Sequence, residues 1–190
     1  MKEINNTPMP KSGRLKNKNM ANTVLLDSDK SLKKIENSNL TKSTFKNSDL
    51  STIEIKDSNF INADLSKCRI RAAKISFSNL EKINFEFSDL SHNSFERINL
   101  TKANLTCTNL QYTSIKESLL KSSDFRWANL RNVIFENCNL ENANFENASL
   151  DMCKLVNCNL KGATFNMNTN LPFSKEFAKS KGMKEIRIIH

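Results

Sequence analysis

Every fifth residue of this chain is constrained. Stepping by five from Ile35 to Phe165 gives 27 consecutive positions, 14 Leu, 8 Phe and 5 Ile, without one insertion. A period of five is neither the 3.6 of a helix nor the 2 of a strand. It suits a chain that turns a corner every five residues and points the same residue inward each time. With only three Gly and three Pro in 190 residues, those corners are not ordinary Gly/Pro turns.

The rest of the unit supports an inward-facing centre. Two places before it, 22 of 26 residues from Ser38 to Ala163 are Ala, Ser, Cys, Thr or Val, small enough for a crowded axis. One place before it, 15 of 26 are Asn or Asp, which stabilise bends by hydrogen-bonding nearby backbone. The two places after it are mostly polar and face solvent. Four such units make a coil of 20 residues, and coils then pair as parallel ladders about 4.8 Å apart. Residues 20 apart agree in kind. Phe45, Phe85, Phe125, Phe145 and Phe165 share one face, and Ile35, Ile55, Ile75 and Ile115 share another. Lys116, Lys121, Arg126 and Arg131 stand one coil before Glu136, Glu141, Glu146 and Asp151. Such exposed pairs add little stability but disfavour a wrong register.

The units Ala63-Asp64-Leu65, Ala103-Asn104-Leu105, Ala128-Asn129-Leu130 and Ala143-Asn144-Phe145 resemble the A(D/N)LXX motif of the pentapeptide repeat family. The resemblance implies an all-β fold, a right-handed quadrilateral parallel β-helix. Ile53, Ile83 and Ile98 are bulky where a small residue is expected, and Asn93 is a polar misfit there. Leu119 and Ile134 stand outside in place of Asn/Asp.

The expected organisation has four parts. A basic, disordered tail occupies 1–22, an N-terminal cap 23–34, the β-helix 35–165, and a C-terminal cap 166–190. Val24, Leu25 and Leu26 are expected to begin the first coil or cover its open end, and Ser31–Glu36 to add a short helical turn. Beyond Phe165 the period stops. Ser174 is placed to cap a short helix over Lys175–Lys181, ended by Gly182, with a strand-like tail at Ile186, Ile188 and Ile189. Phe173, Phe177, Met183 and Ile186 are expected to cover the last coil. The resemblance implies that this same end serves as a homodimer interface.

Chemistry is scarce. The chain has two His, and one is its last residue. Only His92, near Asp89 and Ser91, offers a base. A flat-sided, filled rod lacks a cleft, so the reading is not an enzyme, with no catalytic residue, cofactor or metal. Cys68, Cys138, Cys153 and Cys158 fall at the small inward position, and Cys138 and Cys158 stack 20 apart. They are expected to be reduced packing residues, and outward Cys107 the reactive thiol. No Sec-type apolar segment begins the chain and no apolar run is long enough for a membrane span, so the expected location is cytoplasmic.

The surface position two after the centre is expected to hold a protein-binding patch around one corner. It comprises Phe77, Phe87, His92, Tyr112 and Trp127, rimmed by Arg97, Lys102 and Arg126. The function expected is a docking surface for a protein partner. The resemblance implies a second reading, protection of bacterial type II topoisomerases (DNA gyrase) from quinolones or toxins by acidic DNA mimicry. Charge argues against that mechanism: of the net +9, residues 1–34 carry +5, 166–190 carry +3 and 35–165 only +1. A third reading is nucleic-acid or membrane-surface binding through Lys11, Arg14, Lys16 and Lys18. A fourth is a secreted bacterial effector.

Overall fold

A computed structural model of the chain describes residues 13–25 and 32–186. Its main element is a parallel sheet of eight three-residue strands in sequence order. They are β1 Arg14–Lys16, β2 Lys34–Glu36, β3 Glu54–Lys56, β4 Lys74–Ser76, β5 Ser94–Glu96, β6 Ser114–Lys116, β7 Ile134–Glu136 and β8 Lys154–Val156. Each residue pairs with the one 20 further on, such as Leu15 with Ile35 and Phe135 with Leu155. The other three sides of the coil pair as single bridges in the same register, such as Asn59 with Asn79 and Asp64 with Asn84. This is the expected quadrilateral β-helix, one coil per 20 residues.

The division between strand and bridge has a side-chain cause. On three sides the residue before the centre is usually Asn or Asp, and its carboxamide or carboxylate oxygen accepts the N–H two residues on. Thr41 N–H bonds Asn39, Glu81 N–H bonds Asn79 and Glu146 N–H bonds Asn144, at 2.9–3.1 Å. That bond bends the chain back after one paired residue. On the strand side the same place holds Lys34, Glu54, Lys74, Ser94, Ser114, Ile134 and Lys154, with no Asn or Asp, and the chain stays extended for three residues. The carboxamides also stack between coils, with Asn104 Nδ2 donating to Asn84 Oδ1 at 3.0 Å.

Every corner rests on one left-handed residue two places after the centre. From Asn17 to Asn157, 27 non-glycine residues there have φ between 46° and 65°. After most centres the next small residue returns its N–H to the centre's carbonyl, as Ser43 does to Leu40 at 3.1 Å, closing a tight turn. After the strand side a different bond serves. The hydroxyl of the next coil's small residue accepts instead, Ser38 N–H to Ser58 Oγ at 3.2 Å and Ile98 N–H to Ser118 Oγ at 3.2 Å.

The centres fill the interior. Phe45, Phe60, Phe85, Phe95, Phe125, Phe135, Phe145 and Phe165 are fully buried, and the Phe125 and Phe145 rings stack at 5.1 Å. The bulky residues Ile53, Ile83 and Ile98 are buried too, so the axis tolerates them. Asn93 does less well. Its Oδ1 accepts the Ala73 N–H at 2.7 Å, but its buried Nδ2 has no partner. Leu119 and Ile134 lie at the surface, as expected.

The ends differ from the expectation. Residues 13–22 are a coil of the helix rather than part of a tail, because Leu15 and Met20 act as buried centres with Leu25 after them. Where a helical turn was expected over Ser31–Glu36, Lys34–Glu36 form strand β2, and Ser31 lies outside the described residues. Lys33, at the small position, is exposed, and Leu32 beside it is buried in its stead. Residues 1–12, with Lys11, lie outside the described residues.

At the other end the period slips before it stops. Asn166 turns inward, fully buried, and adds one residue, so Ser149 pairs with Asn170, 21 away. Ser174 caps helix α1, Lys175–Ser180, by accepting the Phe177 N–H. The chain then returns as β10, Lys184–Glu185, pairing in parallel with β9, Thr164–Phe165. Gly182, at φ +84°, makes the entry. Met183 and Ala178 are buried, Phe173 is half-buried, and Phe177 and Ile186 are exposed at 47% and 39%. So Phe173 and Met183 cover the end, Phe177 touches Phe173 from outside, and Ala178 is a cap residue the sequence did not single out. Glu185 ties helix to strand through Lys175 and Lys179, both at 2.8 Å.

Two outcomes follow from these contacts. Asn93→Thr keeps an acceptor for the coil below, as Thr113 already provides for the Asn93 N–H at 3.4 Å, and removes the orphan amide. It is expected to stabilise the fold by about 1 kcal/mol in denaturant titration. The Lys175 and Lys179 ammonium groups hold the Glu185 carboxyl down at about 2. A depressed carboxylate contributes stability above its unfolded value and loses it as pH falls towards the folded one. The tie is therefore expected to weaken from about pH 4 to pH 2, seen by NMR as loss of α1 order, and Glu185→Gln is expected to abolish that step.

Candidate functional site

The exposed aromatic residues of the β-helix stand on left-handed corners. Phe77, Phe87, His92, Tyr112 and Trp127 have φ of 49°, 57°, 61°, 58° and 62°. Left-handed backbone costs an ordinary residue roughly 1–2 kcal/mol, while Gly and Asn adopt it readily. Ten of the 27 non-glycine corners are Asn accordingly. The aromatic side chains recover little of that cost by burial: Trp127 is 63% exposed, Phe87 57%, Tyr112 56% and Phe77 45%.

Two columns of them rise on neighbouring corners, and Phe77 stands on a third. Phe87, Cys107 and Trp127 rise along one corner at 20-residue spacing. His92 and Tyr112 occupy the next corner, with their rings stacked at 5.0 Å. The flat side between the two corners carries the Asp89, Asn109 and Asn129 ladder, in which Asn109 Nδ2 donates to Asp89 at 3.1 Å. Phe77 and Arg97 belong to a third corner. There the Phe77 ring lies between Lys56 and Arg97, 5.8 and 5.4 Å from its centroid. The separation follows from the square section: five residues along the chain is one corner further round.

Of the rim residues, Arg97 is engaged in a register bond. Arg97 pairs with Glu117, one coil up, at 2.8 Å, and that carboxylate raises the guanidinium's pKa. Lys116 pairs with Glu136 at 2.8 Å, Lys121 with Glu141 at 3.3 Å and Arg131 with Asp151 at 3.9 Å, as the two charged rings require. Arg126 departs from them and takes Asp124 of its own coil at 2.7 Å, because Asp124 already turns towards the Arg126 backbone N–H. Lys102 is exposed on the corner beside Phe87.

Arg14 and Lys16 are outward residues of strand β1, opposite Lys34 and Glu36, and Lys18 is exposed on the same coil. They belong to a fixed strand surface and not to a free arm. Depressions along the rod are open. One of about 290 Å³ is lined by Asp49, Arg69, Arg71 and His92. Asp89 Oδ1 accepts the Ser91 N–H and its Oδ2 faces Arg71 at 3.5 Å, while Ser91 Oγ is buried without a partner. His92, Ser91 and Asp89 thus lack the nucleophile–base–orienter contacts of a triad. No helix among the described residues is long and apolar enough to cross a membrane.

A family model described as Pentapeptide repeats matches the chain in eight copies, over residues 55–86, 83–121 and 123–162. Among solved structures the chain is similar to HetL, a pentapeptide repeat protein involved in heterocyst differentiation regulation from the cyanobacterium Nostoc sp. strain PCC 7120. That similarity has 20% identity and a TM-score of 0.45, covering 90% of this chain and 81% of HetL. It is similar to QnrB1, a plasmid-mediated fluoroquinolone resistance protein, at 14% identity and a TM-score of 0.39, covering 91% and 92% of the two chains. It is also similar to alr5209, a pentapeptide repeat protein from Nostoc PCC 7120, at 24% identity and a TM-score of 0.34, covering 62% and 84%. No curated protein matches it.

The corner geometry sets a stability outcome. Trp127→Asn is expected to raise folding stability by about 0.5–1 kcal/mol, because Asn relieves the left-handed backbone and little buried area is lost. Equilibrium denaturation measures this, and a clear loss would show that the indole packs against the rod.

Proposed function

The chain belongs to the pentapeptide repeat family, and from that premise we propose that it is a non-enzymatic docking rod whose aromatic corners bind a protein partner. One observation carries the reading. Five corners hold an aromatic residue where Asn or Gly is conformationally cheaper, and the rings face water. Exposed Trp and Tyr with Arg close by are the composition of binding hot spots. A feature that costs stability and returns little packing is best explained by what it contacts outside the molecule. The rigid coil supports this role: each ring's height and bearing are fixed by a backbone ladder, so binding costs little ordering entropy.

The surface named is the flat side between Phe87–Trp127 and His92–Tyr112. Phe77, held between Lys56 and Arg97 on a separate corner, is outside it. Affinity capture from the native cell extract with wild type beside Trp127→Asn/Tyr112→Asn tests the reading. The partner is expected to be recovered by wild type and lost by at least tenfold with the double variant. Equal recovery would remove the aromatic surface from the account. A supercoiling assay with gyrase and a fluoroquinolone separates the topoisomerase reading: protection by both proteins would assign function to another surface.

A further inference from the structure

The small residue after strands β7 and β8 differs from its counterparts below. In the column formed by the small residue after each strand, Ser58, Ser78 and Ser118 accept the backbone N–H of the coil beneath. At Cys138 and Cys158 sulfur replaces that oxygen in two successive coils. Each thiol donates to carbonyls, Cys138 to Ile115 and Glu136 at 3.3 and 3.4 Å, Cys158 to Val156 and Phe135 at 3.4 and 3.6 Å. A Ser hydroxyl makes the same bonds and makes them better, so hydrogen bonding does not account for the sulfur.

Position does account for it. Asn139 and Asn159, next in the chain, pair directly, so the two cysteines sit on adjacent coils at the ladder spacing of about 4.8 Å, within the Cα range of a disulfide. The two thiols influence each other's ionisation, Cys158 downwards and Cys138 upwards. Strand β8 is the last of its sheet, which leaves Cys158 half-buried while Cys138 is buried at 2% exposure. Cys158 packs against the core as expected but stays partly exposed. Cys153 is a bystander, buried, with its thiol pushed up to about 12 by desolvation.

We propose that Cys158 and Cys138 form a thiol–disulfide exchange site for a low-molecular-weight disulfide of the glutathione class, Cys158 attacking and Cys138 resolving. The Cys158 thiol gives up its proton and its thiolate attacks one sulfur of glutathione disulfide. The S–S bond breaks, and the first glutathione leaves and takes that proton. Cys138 then loses its proton and attacks the Cys158 sulfur of the mixed disulfide, releasing the second glutathione as a thiol. Two protein thiols are oxidised to one disulfide and one glutathione disulfide is reduced to two thiols. The bond staples β7 to β8 beneath the C-terminal cap. The asymmetry fits the roles: the buried Cys138 thiol lowers the pKa of Cys158, and the Cys158 thiol together with burial raises that of Cys138.

Incubation of the full chain with glutathione disulfide, acid quench and alkylation tests the site. Free thiols are expected to fall from five to three, and trypsin to yield peptide 132–154 joined to 155–161. The same linkage is expected in Cys153→Ser, which excludes Cys153 as the partner. Cys138→Ser is expected to stop at one glutathione on Cys158. Cys138 and Cys158 both remaining free under conditions that modify Cys107, or a linkage lost in Cys153→Ser, would overturn the proposal.

Discussion

The structure depends on one backbone constraint, a left-handed residue at every corner of a coil that closes after 20 residues. That closure brings the N–H of a centre under a carbonyl one coil on. Leu40 N–H to Asn59 and Phe125 N–H to Asn144, both at 2.7 Å, are examples repeated along the rod. Once the ladder is fixed, the rest has little freedom. The centre must point inward, the residue after the corner is usually small, and the corner residue must face water whatever its chemistry. The constraint explains how aromatic side chains occupy unfavourable backbone: the neighbouring coils over-determine the corner.

Much of this was legible. The centres at Ile35–Phe165, the small column and the charged rings predict the 20-residue coil, and all but one of the named ring pairs form. The signal that was available but unused is the absence of Asn and Asp at 34, 54, 74, 94, 114, 134 and 154, which marks the strand side by itself. The first coil was hidden because Leu15, Met20 and Leu25 are followed by Lys30, which breaks the pattern before Ile35 resumes it. The slip at Asn166 was illegible for a different reason. An Asn one place after a centre reads as solvent-facing, and only its bonds to Asn147 and Thr169 turn it inward. The aromatic corners were legible by type, and the 20-residue coil sets Phe87 and Trp127 in one column and His92 and Tyr112 in the next; spacing alone did not show that the Phe77 ring is held apart between Lys56 and Arg97.

Two kinds of feature emerge from the same lattice. Those that serve the fold repeat from coil to coil, as the Asn ladder and the Lys116–Glu136 pairs do. Those that do not repeat are confined to a few coils, the rings at 77–127 and the thiols at 138 and 158. A solenoid makes this contrast unusually clear, because each coil is the control for its neighbours. A residue that departs from its column at a cost, with no internal partner that needs it, is the place to look for function.

The central claim is that register is 20 residues, not merely five. Deleting residues 96–115 removes one coil and joins Phe95 to Lys116 in the same setting that Ile115 has. Deleting residues 96–100 keeps every fifth residue apolar but turns all later sides by one corner, setting Asn-bearing sides against the strand side. Thermal unfolding of the two deletions, each against the full chain, compares the claims directly. The account requires the 20-residue deletion to unfold cooperatively near the full-length midpoint and the five-residue deletion to melt far lower or not fold. Equal tolerance of both, or collapse of the longer deletion alone, would contradict it.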